Sequence, residues 1–169
     1  MSIWGYILII ILLIYIIVKR NEYARMRQDI KQAGSDISVM VEKRAASLND
    51  ALSIAKIGYK SEVDGIEKLS CSEQLSQLAY LGQKYPSLTS VGNYSETLSH
   101  AFHLNSDISA AREILNGNIN EYNHLVTAFP GNIIALLFRY KAEKVIDEEN
   151  LEKHRHLSTK DVDFDKFQN

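Results

Sequence analysis

The chain starts with a continuous apolar run that ends abruptly at two basic residues. Residues 1–18 contain no charged side chain, and Lys19 and Arg20 follow directly. Eighteen helical residues rise about 27 Å, close to the ~30 Å thickness of a bilayer's hydrocarbon core. Trp4 and Tyr15 lie near the two ends, and such aromatic side chains favour the membrane interface. The run therefore predicts a transmembrane anchor over residues 1–20.

Two other interpretations of this run fit less well. A secretory signal peptide has a basic start and a small-residue cleavage site after its apolar stretch, and neither feature occurs here. A buried core helix usually carries polar residues on one face, whereas residues 3–18 carry no charged or amide side chain. We therefore expect one uncleaved span.

The charges beside the run predict its orientation. Five basic residues follow closely: Lys19, Arg20, Arg25, Arg27 and Lys31. Because positive flanks favour the cytoplasmic side, we expect the N-terminus outside the cell membrane and the helical domain in the cytoplasm. The single cysteine, Cys71, agrees, since small secreted domains usually pair their cysteines.

Beyond the anchor, apolar residues recur at steps of three and four, which is the spacing of one helix face. The first helix is predicted to continue from the anchor to about residue 69. A short second helix ends before Pro86, and residues 87–92 are expected to form an extended connector. The third helix has the most regular pattern, over residues 98–129, and a fourth is predicted over residues 133–146.

These helices predict an all-α fold, with one N-terminal transmembrane helix followed by a long-helix, mostly antiparallel four-helix bundle. The expected domains are an anchor at 1–20, a helical bundle domain at 21–149 and a charged C-terminal tail at 150–169. The formal net charge of −2 gives no basic field that would attract nucleic acid. The bundle pattern is compatible with association between copies of the chain.

Polar residues interrupt the apolar stripe of the third helix. Asn105 and Arg112 occupy seam positions, where an arginine is costly unless it is paired. Glu62, within the stripe of the first helix, is the expected partner of Arg112. Three further asparagines recur along the third helix, either as hydrogen-bonding groups or as a solvated edge: Asn116, Asn120 and Asn123.

Complete catalytic or metal signatures are absent from the sequence. His100, His103 and Asp107 share one predicted helix face, but they fall off the seam, and a solvated face is the simpler interpretation. Glu121 and His124 form one Glu-x-x-His unit, whereas a di-iron bundle needs two such units and two more carboxylates. We therefore expect no catalytic, cofactor-binding or metal-binding residues.

The third and fourth helices resemble the LemA family. The resemblance is carried by Ala111-Arg112, Tyr122-Asn123, Phe129-Pro-Gly-Asn132 and Ala135-Leu-Leu-Phe138, together with Tyr85-Pro-Ser-Leu88 and Val162-Asp-Phe164. The chain departs from the family pattern in the first helix. Residues 43–52 lack the Arg-x-x-Leu-Ile-Pro-Asn-Leu pattern of the family, and with it the proline kink. The chain also has Ser61 before Glu62 where the family has His-Glu, and Leu115 where the family has an aromatic residue before Asn116.

The resemblance implies a bacterial single-span protein with an outside N-terminus and a cytoplasmic helical domain, and it implies no defined chemistry. We expect a non-enzymatic interaction, scaffold or adaptor module. Its partners would be the lipid bilayer and a membrane or cytoplasmic protein. The alternative is a metal-dependent enzyme that uses Glu62, Glu121 and His124 within the bundle.

Overall fold

The computed structural model describes residues 3–146, and within that range every regular element is a helix. The predicted all-α class is therefore confirmed, as is the long apolar helix at the N-terminus. This helix is long and apolar enough to cross a membrane, and its apolar stretch is not buried within the chain. The predicted tail at 150–169 lies outside the described residues.

Within residues 3–146, five α-helices and one short 3₁₀ turn follow one another. Their bounds are α1 Ile3–Val63, the 3₁₀ turn Ile66–Lys68, α2 Cys71–Lys84, α3 Pro86–Thr89, α4 Tyr94–Thr127 and α5 Gly131–Phe138. The start of α2 is fixed by a capping box in which Ser70 accepts a hydrogen bond from the backbone of Glu73, and the Glu73 carboxylate accepts one from the backbone of Ser70. The N-cap of α2 is thus Ser70.

Three predicted boundaries need correction. The helical path of α1 is interrupted at Tyr59, where φ is −135° and ψ is 43°, and the helix ends at Val63. The expected extended connector holds a short helix, α3, which begins at Pro86 because proline's fixed φ suits a first helical turn. The fourth predicted helix ends at Phe138 instead of residue 146, because Arg139 adopts a left-handed conformation with φ 58°.

The described chain divides into two compact units. The first unit contains the described residues of Met1–Ser35 and Glu113–Val145, and the second contains Asp36–Arg112 with Ile146. The core of the first unit is formed by five residues: Tyr23, Tyr122, Val126, Ile134 and Ala135. In the second unit, buried residues of α1, α2, α3 and α4 form a larger core that includes Leu48, Leu52, Leu75, Leu78, Leu88 and Tyr94. The domain bounds predicted from the sequence remain a prediction.

Candidate functional site

A buried tyrosine organises the first unit. Tyr23 is fully buried, and its hydroxyl donates a hydrogen bond to the backbone carbonyl of Leu125, 3.2 Å away. The Tyr140 ring meets the Tyr23 ring edge-on, with 5.4 Å between centroids. These contacts join α1 to the end of α4 and to the segment that follows α5.

The corner between α4 and α5 requires glycine at position 131. A Cβ atom added to Gly131 would lie 2.3 Å from the carbonyl oxygen of Leu125 and 2.4 Å from the hydroxyl oxygen of Tyr23. Both distances are far below van der Waals contact. The glycine of the Phe129-Pro-Gly-Asn132 motif therefore permits a close approach between this corner and Tyr23.

Asn123 holds the chain that leaves α5. Its side-chain amide donates to the backbone carbonyl of Glu143, and its side-chain oxygen accepts from the Glu143 backbone N–H, both at 2.8 Å. The Glu143 carboxylate in turn accepts a hydrogen bond from Arg27 at 3.2 Å. Of the three recurring asparagines, Asn123 is thus a specific structural group, whereas Asn120 is exposed.

The neighbouring Tyr122 is fully buried, and its hydroxyl has no hydrogen-bond partner among the described residues. Burial raises the pKa of Tyr122 to about 12, because the phenolate would lose its hydration there. Since Tyr122 lies in the core of the first unit and its hydroxyl has no partner there, its role is packing.

The second unit has a buried polar contact between α1 and α4. Arg44 is only 6% exposed, and its Nη1 donates to the side-chain oxygen of Asn105 at 2.6 Å. One turn further along α1, the hydroxyl oxygen of Ser47 lies 3.1 Å from Nδ1 of His100. Asn105, predicted as a polar seam residue, is therefore bound to Arg44, whose burial was not predicted.

Glu62 occupies a different polar cluster. The hydroxyl of Tyr85 donates to its carboxylate, and Lys84 lies 3.3 Å away. The Tyr85 hydrogen bond, supported by Lys84, holds the pKa of Glu62 below its usual value. The Tyr85 ring also stacks on Tyr59, with 4.1 Å between centroids. This cluster closes the end of α1 against the end of α2.

The predicted pairing of Glu62 with Arg112 is therefore wrong in its assignment of Glu62. Arg112 is half-buried, as expected for a seam position. However, Arg44 is the α1 residue that faces Asn105, and about 27 Å of helix separates Arg44 from Glu62. His100 faces Ser47 and Asn105 faces Arg44, so higher residue numbers on α4 lie against lower residue numbers on α1. Arg112 follows Asn105 on α4 and is therefore further from Glu62 than Asn105 is.

The residues of the candidate metal sites do not come together. Among the described residues, no group of three or more His, Cys, Asp and Glu side chains is placed to hold a metal ion. The candidate metal ligands on α4 are all exposed: His100, His103, Asp107, Glu121 and His124. An open depression in the second unit has Asp50, Ser53 and Thr97 among its lining residues, without a histidine or cysteine.

The family model for LemA matches residues 21–164, which is most of the chain. The chain belongs to the LemA family. No curated protein and no solved structure matches it significantly. In this LemA protein, three motif residues have structural roles in the first unit. Gly131 permits the close approach of the corner to Tyr23, Asn123 binds the backbone at Glu143, and Tyr122 packs in the core. The Val162-Asp-Phe164 motif lies outside the described residues.

Proposed function

We propose that this LemA protein is a membrane-anchored, non-enzymatic scaffold or adaptor, whose helical domain presents its faces to a protein partner. The observation that carries the proposal is the unburied apolar stretch of α1, which continues as a helix into both packed units. An uncharged helical stretch of this length is stable in hydrocarbon and costly in water.

The basic residues that follow the stretch support an inside location for the domain. Lys19 and Arg20 come directly after it, and Arg25, Arg27 and Lys31 follow within the next turns. A cluster of this kind remains on the cytoplasmic side during insertion. We therefore place the N-terminus outside the cell membrane and the helical domain in the cytoplasm.

A mostly antiparallel four-helix bundle is the architecture that we propose for the domain. The Arg44–Asn105 and Ser47–His100 contacts support an antiparallel pairing of α1 and α4 in the second unit, because residue numbers rise along α1 while they fall along α4. Bundles of this kind leave broad helix faces for partners. The exposed large apolar side chains on α1, α2 and α4 include Ile57, Tyr80, Phe102 and Ile114.

Thiol labelling tests the anchor and its orientation. Because the Cys71 side chain is buried, it is replaced by alanine, and an exposed reporter is introduced as Ser99→Cys. In intact bacterial cells, a membrane-impermeant maleimide should fail to label position 99 and should label it after lysis. As the matched control, Ser2→Cys should react in intact cells. Labelling of position 99 from outside would contradict the proposed orientation.

Site-specific photocrosslinking tests the interaction role. A photoreactive side chain is placed in turn at Ile57, Tyr80, Phe102 and Ile114 in the full chain, expressed in its own cells. We expect at least one position to give a discrete adduct with a different protein, while the exposed polar position Gln77 gives none. If every apolar position yields only adducts between copies of this chain, the adaptor role is wrong and self-association replaces it.

A further inference from the structure

The short helix α5 has two apolar sides, and only one of them is covered. Ile134 and Ala135 are buried in the core of the first unit. On the other side, Ile133 is 59% exposed, Leu136 81% and Leu137 66%. Phe129, at the corner before the helix, is 79% exposed. An apolar patch of this density on a short helix usually marks an interaction surface.

The location of α5 indicates what covers this patch. Tyr15 and Ile16, from the last turn of the proposed transmembrane segment, pack against the same core as Ile134 and Ala135. Tyr23, which lies against Gly131, is only about 10 Å further along α1 than Ile16. A helix held at this level of α1 lies beside the point where the span leaves the hydrocarbon.

The charges around the patch match a lipid interface. The Arg20 guanidinium lies over the Phe138 ring, 5.5 Å from its centroid, so a basic group borders the apolar surface directly. Arg139 and Lys141 follow α5, and both side chains are exposed. The nearby carboxylate of Glu143 is paired with Arg27. Cations beside a row of apolar side chains suit anionic headgroups above acyl chains.

We propose that the outer face of α5, with Phe129, inserts into the headgroup–acyl boundary of the bilayer that the N-terminal helix spans. This inference rests on the proposed membrane anchoring. The insertion gives the protein a second membrane contact beside its span and fixes the first unit against the surface. Interfacial helices bury their apolar face about 5–10 Å deep, which is less than the ~10–12 Å diameter of a helix with its side chains, so the buried side of α5 can stay packed on the first unit.

Tryptophan quenching by brominated lipids tests this insertion in the full chain. The single tryptophan is removed by Trp4→Phe, and one reporter is introduced at a time. Leu136→Trp reports on α5, Ile10→Trp reports on the span, and Ile114→Trp is the matched control at an exposed apolar position on α4. The chains are reconstituted in vesicles of phosphatidylcholine and phosphatidylglycerol, with or without bromine on the acyl chains.

We expect brominated lipid to quench the reporters at positions 10 and 136 and to leave position 114 unaffected. Adding Leu137→Glu to the Leu136→Trp chain should weaken the quenching at position 136, because a carboxylate resists insertion among acyl chains. The exposure of both leucines means that these changes leave the core of the unit intact. Vesicles without phosphatidylglycerol should give less quenching at position 136, because the cations then lose their anionic partners.

The remaining outcomes overturn the inference in distinguishable ways. Quenching at position 10 without quenching at position 136 would leave the anchor standing and reject the insertion of α5. Blue-shifted emission at position 136 without lipid quenching would show that a protein, such as a second copy of the chain, covers the patch. Absence of quenching at position 10 would reject the anchor, and the insertion with it.

Discussion

Replacing Gly131 with alanine should destabilise the protein by about 2 to 3 kcal/mol, which is towards the upper end of overpacking costs. Alanine improves the intrinsic helix preference by about 1 kcal/mol, so the steric cost must exceed that gain. We expect the steric cost to exceed the gain, because the new Cβ would lie 2.3 Å from the backbone carbonyl oxygen of Leu125 and 2.4 Å from the Tyr23 hydroxyl. Urea unfolding of the full chain in detergent, followed by circular dichroism, measures the change.

The chain supplies a matched control for this substitution. Gly117 lies within α4, and a Cβ added there would have no neighbour within 4 Å. Gly117→Ala should therefore stabilise the protein by up to about 1 kcal/mol, through helix preference alone. Equal stability of Gly131→Ala and the unaltered chain would show that the corner can move away from Tyr23.

The Tyr23→Phe change separates the two clashes. By itself it removes the hydrogen bond to Leu125 and should cost about 1 kcal/mol. Combined with Gly131→Ala, it also removes the atom that obstructs the new methyl group, so the double variant should be more stable than the sum of the two effects predicts. The clash with the Leu125 carbonyl remains, so recovery should be partial.

The buried face of α4 was predictable from sequence because periodic apolar residues reflect burial directly. Leu98, Ile108, Leu115 and Ile119 are all buried, as the spacing indicates. Phe129 continues the same spacing but is exposed, because α4 ends at Thr127 and the helical phase no longer applies. A periodic pattern thus predicts a face only as far as the helix extends.

Arg44 shows why a buried charge escapes this kind of reasoning. The spacing of Val41, Arg44 and Leu48 fits a helix face as well as the spacing of Val41, Ala45 and Leu48. Since arginine is rarely buried, the apolar alternative is the natural choice. The spacing was thus compatible with a buried Arg44, but the rarity of buried arginine argued against it.

The partner of Glu62 depends on the register between helices, which no pattern along a single helix contains. The apolar stripe of α4 contains Arg112 and that of α1 contains Glu62, so the sequence suggests an ion pair between these opposite charges. The contacts of Arg44 and Ser47 fix a different register. The end of α5 was also hard to predict. Left-handed residues at helix ends are usually glycine or asparagine, whereas α5 ends at Arg139.

The register of α1 against α4 predicts a large loss of stability when Asn105 is replaced. Asn105→Leu should destabilise the protein by about 2 to 3 kcal/mol, because it removes the acceptor of a hydrogen bond from a buried guanidinium. The loss is hard to compensate locally. Within residues 3–146, Arg44 has no carboxylate ion pair, and its Nε is already buried without a hydrogen-bond partner.

The matching change at Arg44 should behave differently. Arg44→Met removes the buried charge and keeps a side chain of similar length, so stability should change by less than about 1 kcal/mol in either direction. Arg25→Met, at an exposed position of α1, serves as the control and should change stability by at most about 0.5 kcal/mol. Each variant is measured in the full chain by urea unfolding.

The double variant decides whether Arg44 and Asn105 act as a pair. In the Arg44→Met chain, the guanidinium that needed Asn105 is gone, so Asn105→Leu should cost little and could improve packing with the new methionine. The double-mutant cycle should therefore give a coupling energy of about 2 kcal/mol, well above the ~0.5 kcal/mol at which distant sites usually add. Additive effects would mean that the cost of Asn105→Leu does not depend on the guanidinium, and that the polar contact does not fix the register of α1 against α4.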